Sequence, residues 1–153
     1  MDSPTFMFKL HPQLKRDTLP VARFPLCQVR LMNDMHYPWL ILIPARTHIR
    51  EIYELSGEDQ QQLMKESCLI SQALQTGFQA DKINIAALGN MVPQLHLHHI
   101  ARYENDVSWP KPVFGQHPAQ AYTDEHLSLM QDQLKTCIQR LAGDLNIRWH
   151  LTR

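Results

Sequence analysis

With 153 residues, 44% of them apolar, the chain is long and apolar enough for one domain with a substantial core, which excludes wholesale disorder. Fifteen Lys and Arg balance fifteen Asp and Glu, so the formal net charge is zero and neither a general basic arm for nucleic acid nor an acidic tail is present. Three scattered cysteines (Cys27, Cys68, Cys137) with no CxxC pair exclude a disulfide framework; they read as small core residues in a reducing, cytoplasmic setting. No secretory leader is expected at the N-terminus. No apolar run approaches the ~20 residues of a membrane span.

In chain order, residues 6–10 predict a short strand, followed by a loop punctuated by Pro12, Pro20 and Pro25. Residues 26–32 alternate, with Leu26, Gln28 and Arg30 against Cys27, Val29 and Leu31, and predict a strand. After an Asn33-Asp34 turn, Trp39 to Ile43 is apolar on both faces, as in a central strand covered from two sides, and Pro44 ends it. Ser56 is placed to cap a helix, with Asp59 at the capping-box position; Leu63, Ser67, Ile70, Leu74 and Phe78 keep helical spacing, with the helix ending near Gly77. Residues 81–88 return to strand character, Gly89-Asn90 is a turn, and residues 94–101 form a further strand. Residues 103–122, with Pro110, Pro112, Gly115 and Pro118, predict a long irregular loop. A last helix begins near Thr123, carries a stripe of Leu127, Met130, Leu134, Ile138 and Leu141, and stops at Gly143 or Asn146, leaving a short tail. The order of elements predicts one α+β domain over residues 1–153.

The residue most out of proportion is histidine: nine in all, three of them at positions 96, 98 and 99. On a strand, Gln94, His96 and His98 share one face while Leu95, Leu97 and His99 take the other. Same-face neighbours stand roughly 7 Å apart, so two imidazoles can address one phosphate-sized group. Histidine titrates near neutrality and can act as nucleophile, base or acid. On spacing alone a solvated patch ranks first, a set of metal ligands second and catalysis last.

The flanking residues separate these readings. The run Gln94-Leu95-His96-Leu97-His98-His99-Ile100 resembles the hallmark of the histidine triad (HIT) family, His-φ-His-φ-His-φ-φ with φ apolar. The resemblance extends to LGNMVPQLHLHHIAR (88–102) and to ILIPARTHIREIYEL (41–55), in the family's order. It implies an antiparallel sheet with two main helices, assembled as a two-fold homodimer. It also implies a hydrolase or transferase acting on the α-phosphate of nucleotide conjugates. His96 matches the nucleophile that becomes nucleotidylated, and His98 the histidine that bonds the phosphate or leaving group. His48 matches the histidine that supports the first triad position. Asn90, Asn84 and Asn33 are the polar residues assigned to the nucleotide. The family's chemistry requires no cofactor, although Mg²⁺ accompanies some dinucleotide substrates, and neither nucleic acid nor a membrane is an expected partner.

The chain departs from the pattern at the first triad position, which is Gln94; glutamine can keep a supporting hydrogen bond but cannot titrate. His99 stands at an apolar position and reads as structural, half-buried beside the last helix. No acidic residue stands at the family's ribose contact: Leu31 lies near that offset, with Asn33 and Asp34 following. Trp109 is expected either to close over the site or to pack at a subunit contact. Arg46 reads as a phosphate-steering or a surface charge, and His11, His36, His117, His126 and His150 as surface or structural residues. Two other functions remain open: a nucleotide-binding module with little catalysis, and a metal site built from His48, His96 and His98.

Overall fold

A computed structural model describes residues 8–151. Its elements are α1 (Pro12–Asp17), β1 (Thr18–Arg23), β2 (Cys27–Met32), β3 (Trp39–Pro44), a single 3₁₀ turn (Ile52–Glu54), α2 (Gly57–Phe78), β4 (Lys82–Ala86), β5 (Leu97–Arg102), α3 (Asp124–Ala142) and β6 (Arg148–Trp149). The strands form one six-stranded sheet in the order β4-β5-β3-β2-β1-β6, all neighbours antiparallel. This is the expected α+β architecture with two main helices. Among the described residues no helix is long and apolar enough to cross a membrane.

Periodicity explains the interior strands. β2 alternates between buried and half-buried positions, while every residue of β3 and β5 is buried. Those two strands sit between neighbours and are covered on both faces. One face packs Val29, Leu40, Leu42 and Leu97 against Ile70 and Leu74 of α2 and Leu134 and Ile138 of α3. The other face gathers Trp39, Ile41, Ile43 and Ile100 with Leu14 of α1 and Val113 of the long loop. On α2, Glu66 is buried, and its carboxylate accepts from the Leu26 and Cys27 N–H groups at 3.0 and 2.9 Å, fixing the helix to the start of β2.

Several boundaries differ from expectation. Residues 8–10 form no strand, and Phe6 and Met7 lie outside the described residues. The expected loop around Pro12 and Pro20 is instead α1 and β1. Pro12 opens α1, where a missing N–H costs nothing, and the His11 ring accepts from Gln13 N–H. Pro20 is tolerated in β1 because β6 covers only Ala22 and Arg23 of that strand. The tail is no free end: it supplies β6, which pairs with β1. Ser56 caps α2 as expected, but the Asp59 carboxylate takes Arg46 at 2.7 Å rather than completing a capping box. That ion pair makes Arg46 a surface charge. Cys27 and Cys137 are buried, whereas Cys68 is exposed on α2, contrary to a core reading.

α2 continues one residue past Gly77, which marks a helix contact rather than a helix end. A Cβ at Gly77 would lie 2.5 Å from Cys137 Cβ on α3. Gly77→Ala is therefore expected to destabilise the fold by about 1–3 kcal/mol despite alanine's better helix propensity, read as a lower urea midpoint.

Candidate active site

The histidine strand begins later than expected. Pairing starts at Leu97, so Gln94, Leu95 and His96 form the approach to β5 rather than its first residues. Leu95 is nevertheless fixed, since its N–H donates to Ile49 C=O at 2.9 Å. Within β5, His98 pairs with Ile41 of β3 and Ala86 of β4, and Ile100 with Trp39 and Asn84. Alternation sends Leu97 and His99 toward the helices, and His98, Ile100 and Arg102 to the opposite face.

His96 and His98 lie side by side, edge to face, with ring centroids 5.0 Å apart and only 7% and 6% exposed. Their second nitrogens settle where the protons sit. His96 Nδ1 is 2.6 Å from the Gln94 carbonyl oxygen, which can only accept. A neutral His96 therefore carries its proton on Nδ1 and keeps its lone pair on Nε2. His98 Nδ1 accepts from the Trp39 indole N–H at 3.1 Å, and indole can only donate. A neutral His98 carries its proton on Nε2. The pair thus offers one nucleophilic nitrogen and one N–H donor. Burial, aided by the nearby His96 and His99, pushes the His98 pKa down to about 3, so it stays neutral at pH 7. Phe114 packs edge-on against His98 at 5.0 Å.

His99 is wholly buried rather than half-buried, and its partner is α2, not the last helix. Its Nε2 meets Ser67 Oγ at 2.7 Å and its Nδ1 the Leu97 carbonyl at 3.1 Å. Burial lowers its pKa to about 4, against a partly offsetting bond to the Leu97 carbonyl. His98 and His99 both have folded-state pKa values below the unfolded value of ~6.5. Their contribution to stability is complete above that value, declines as pH falls below it, and is fully lost below about 4 for His99 and about 3 for His98. Unfolding in urea at pH 7 and pH 5 is expected to show a loss of roughly 4 kcal/mol at the lower pH.

The Gln94 side chain does not support His96. Its Oε1 accepts from His11 N–H and its Nε2 donates to Lys9 C=O, both at 2.9 Å, so the amide clamps the N-terminal segment across the approach to β5. Support for His96 comes from the Gln94 main chain, which does not depend on the side chain. Gln94→Ala is expected to lower stability by about 1–2 kcal/mol, and Gln94→His to give no gain in turnover. A thermal melt and a rate assay on the two variants check this.

His48 sits on a left-handed turn (φ 59°), exposed and without a hydrogen bond among the described residues, so the expected bond to the first triad position is not formed. Asn90 is exposed in the turn that Gly89, at φ 72°, makes possible. Asn33 Oδ1 accepts from Tyr122 N–H at 2.9 Å and so anchors the end of the long loop. Asn84 does reach the histidine face. It lines a groove of about 430 Å³ with Ala86, Leu88, Ile100, Val113 and Phe114, beside His98.

The largest omission from the sequence reading is Arg102. It is 1% exposed, and its guanidinium donates to Asp106 at 2.8 and 3.1 Å, to Asn84 Oδ1 at 2.8 Å and to Ser108 Oγ at 3.3 Å. With Oδ1 engaged by Arg102, the Asn84 NH₂ is the group left for the groove. Burial would raise the Asp106 pKa, but bonds from Arg102, Tyr103 N–H and Ser108 N–H outweigh it and hold the carboxyl at about 2. Arg102 also stands over the rings of Tyr37 at 5.6 Å and Trp109 at 5.7 Å, so Trp109 packs on the guanidinium within its own chain. The available signal was Arg102's place in the same alternation as His96 and His98, with Asp106 four residues on.

His36 and His117 belong to an anchor for the long loop. Asp34 Oδ1 accepts from His36 Nδ1 at 2.6 Å and Gln120 N–H at 3.2 Å, while His117 Nε2 meets Tyr37 OH at 2.8 Å. Among the described residues, Asp34, His36 and His117 place ligand-type atoms within 4.8 Å of one another; His48, His96 and His98 form no such set. The structure therefore gives no support to a metal site on those three histidines.

The HIT domain family matches residues 13–105. Three solved structures are similar over most of the chain. A histidine triad protein from Marinobacter aquaeolei VT8 is 49% identical, with a TM-score of 0.86 over 89% of this chain and 99% of that one. One from Bradyrhizobium japonicum is 42% identical, with a TM-score of 0.84 over 86% and 98%. One from Sinorhizobium meliloti is 44% identical, with a TM-score of 0.83 over 84% and 96%. No curated protein matches the sequence. The fold, the histidine pair and these likenesses agree: the chain belongs to the HIT domain family.

Proposed function

We propose that this protein is a nucleotide hydrolase or nucleotidyl transferase in which His96 is the nucleophile. The observation that carries this reading is the opposed hydrogen bonding of the two Nδ1 atoms, one facing the Gln94 carbonyl and the other accepting from the Trp39 indole; in the neutral rings this leaves a lone pair on His96 Nε2 and an N–H on His98 Nε2. His96 Nε2 attacks the α-phosphorus and forms an N–P bond as the bond from phosphorus to the leaving group breaks. The His98 N–H hydrogen-bonds the developing negative charge. Water or another acceptor then attacks the phosphorus, the N–P bond breaks and His96 is regenerated. The groove beside Asn84 is assigned to the nucleotide.

The test is hydrolysis of a nucleoside phosphoramidate and of a dinucleoside polyphosphate, with intact-mass detection of a nucleotidyl adduct after acid quench. Turnover with an adduct on the peptide containing His96 is expected. Mononucleotide binding with neither turnover nor adduct would establish the binding-module reading instead. The proposal includes a two-fold homodimer: β4 is an open edge strand with exposed Ile85, followed by exposed Leu88. Sedimentation at micromolar concentration is expected to give twice the chain mass.

A further inference from the structure

At the end of the sheet remote from β4, arginines from three strands converge. Arg23 of β1 pairs with Gln28 of β2 and with Arg148 of β6, while Arg30 of β2 pairs with Pro20 of β1. Directly opposed residues share a face. Gln28 and Arg30 pair in turn with Ile43 and Ile41, which places all three arginines on the histidine face of the sheet. They line a groove of about 400 Å³ together with His150, and an adjoining hollow adds Asn146.

Among the described residues, neither hollow has a carboxylate in its lining, and none of the three arginines makes an ion pair. The few bonds the arginines do make leave donors free. Arg30 spends Nε and Nη2 on Thr18 and keeps Nη1, while Arg23 spends only Nε, on Phe24 C=O. Burial also lowers the Arg30 pKa from its usual value with no carboxylate to oppose it. Three like charges gathered in one hollow repel one another unless an anion joins them. Guanidinium forks match carboxylate and phosphate oxygens in bidentate geometry, and a phosphate or pyrophosphate offers enough oxygens and charge to engage three of them at once.

We propose that this groove binds a phosphorylated small molecule, with Arg23, Arg30 and Arg148 holding its phosphate or pyrophosphate. It is a separate site from the histidine pair: Ile41 and Ile43, which lie between the two, are completely buried beside Leu14. The inference stands whether or not His96 is a nucleophile.

Calorimetric titration of the full chain with inorganic pyrophosphate, and separately with inorganic tripolyphosphate, tests it. Both are expected to bind, at least tenfold more weakly in the Arg23→Gln/Arg148→Gln double variant and in Arg148→Glu. Affinity in His96→Ala should be unchanged, and raising the salt should weaken binding. The variants change half-buried or exposed side chains, and unaltered thermal melts establish that they fold. No binding of either probe to the wild type overturns the proposal. So does binding of either anion that is unchanged in the double variant, which places it away from the three arginines.

Discussion

His96→Ala is expected to lower turnover of nucleotide conjugates by about 10³-fold or more and to abolish the nucleotidyl adduct, with binding of a mononucleotide product changed only a few-fold. The reason is local. The imidazole makes one hydrogen bond, to the Gln94 carbonyl, so its removal leaves β5 and its neighbours paired as before. His98→Ala is expected to cost less in rate and more in stability, because the Trp39 indole N–H loses its acceptor in a buried position. A His98→Asn variant separates the two effects by restoring an acceptor near the indole. Equal turnover by wild type and His96→Ala in the phosphoramidate assay would remove His96 from the mechanism.

What could be read before the fold was known follows from the range of the forces involved. β2 and β3 were legible because alternation and continuous apolarity are local consequences of being half or wholly covered. α1 was not, because six residues are too few to show a period and its one buried residue, Leu14, gains its meaning from Ile41 and Val113. β6 is two residues long and exists through its pairing with β1. The histidine pair was legible as a pattern, yet its protonation was not: it depends on Trp39, 59 residues from His98, and on a main-chain carbonyl. Gln94 was placed at the right position and given the wrong partner, since its amide bonds Lys9 and His11, some 80 residues away. The three arginines were invisible as a group because Arg23 and Arg30 share a face only through the register of β1 on β2, and Arg148 joins them from the far end of the chain.

Arg102 carries the other large expectation. Arg102→Leu is expected to destabilise the fold by about 3–5 kcal/mol, because it strands a carboxylate that is 5% exposed at the side chain and is held ionised by that guanidinium. The loss should be greatest at neutral pH. As pH falls, the unpaired carboxyl of the variant protonates first, because burial raises its pKa once Arg102 is gone; by about pH 2, where Asp106 is protonated even beside Arg102, the penalty has fallen away. The double variant Arg102→Leu/Asp106→Leu is expected to recover most of the stability, since no charge is then left unpaired. Turnover should not recover with it. In both variants Asn84 loses the bond that fixes its amide orientation, and Ser108 loses a tie between the long loop and β5. A stable double variant with a raised KM for the nucleotide conjugate would identify Arg102 as a positioning residue for Asn84. Full activity in that variant would leave the buried ion pair with a structural role alone.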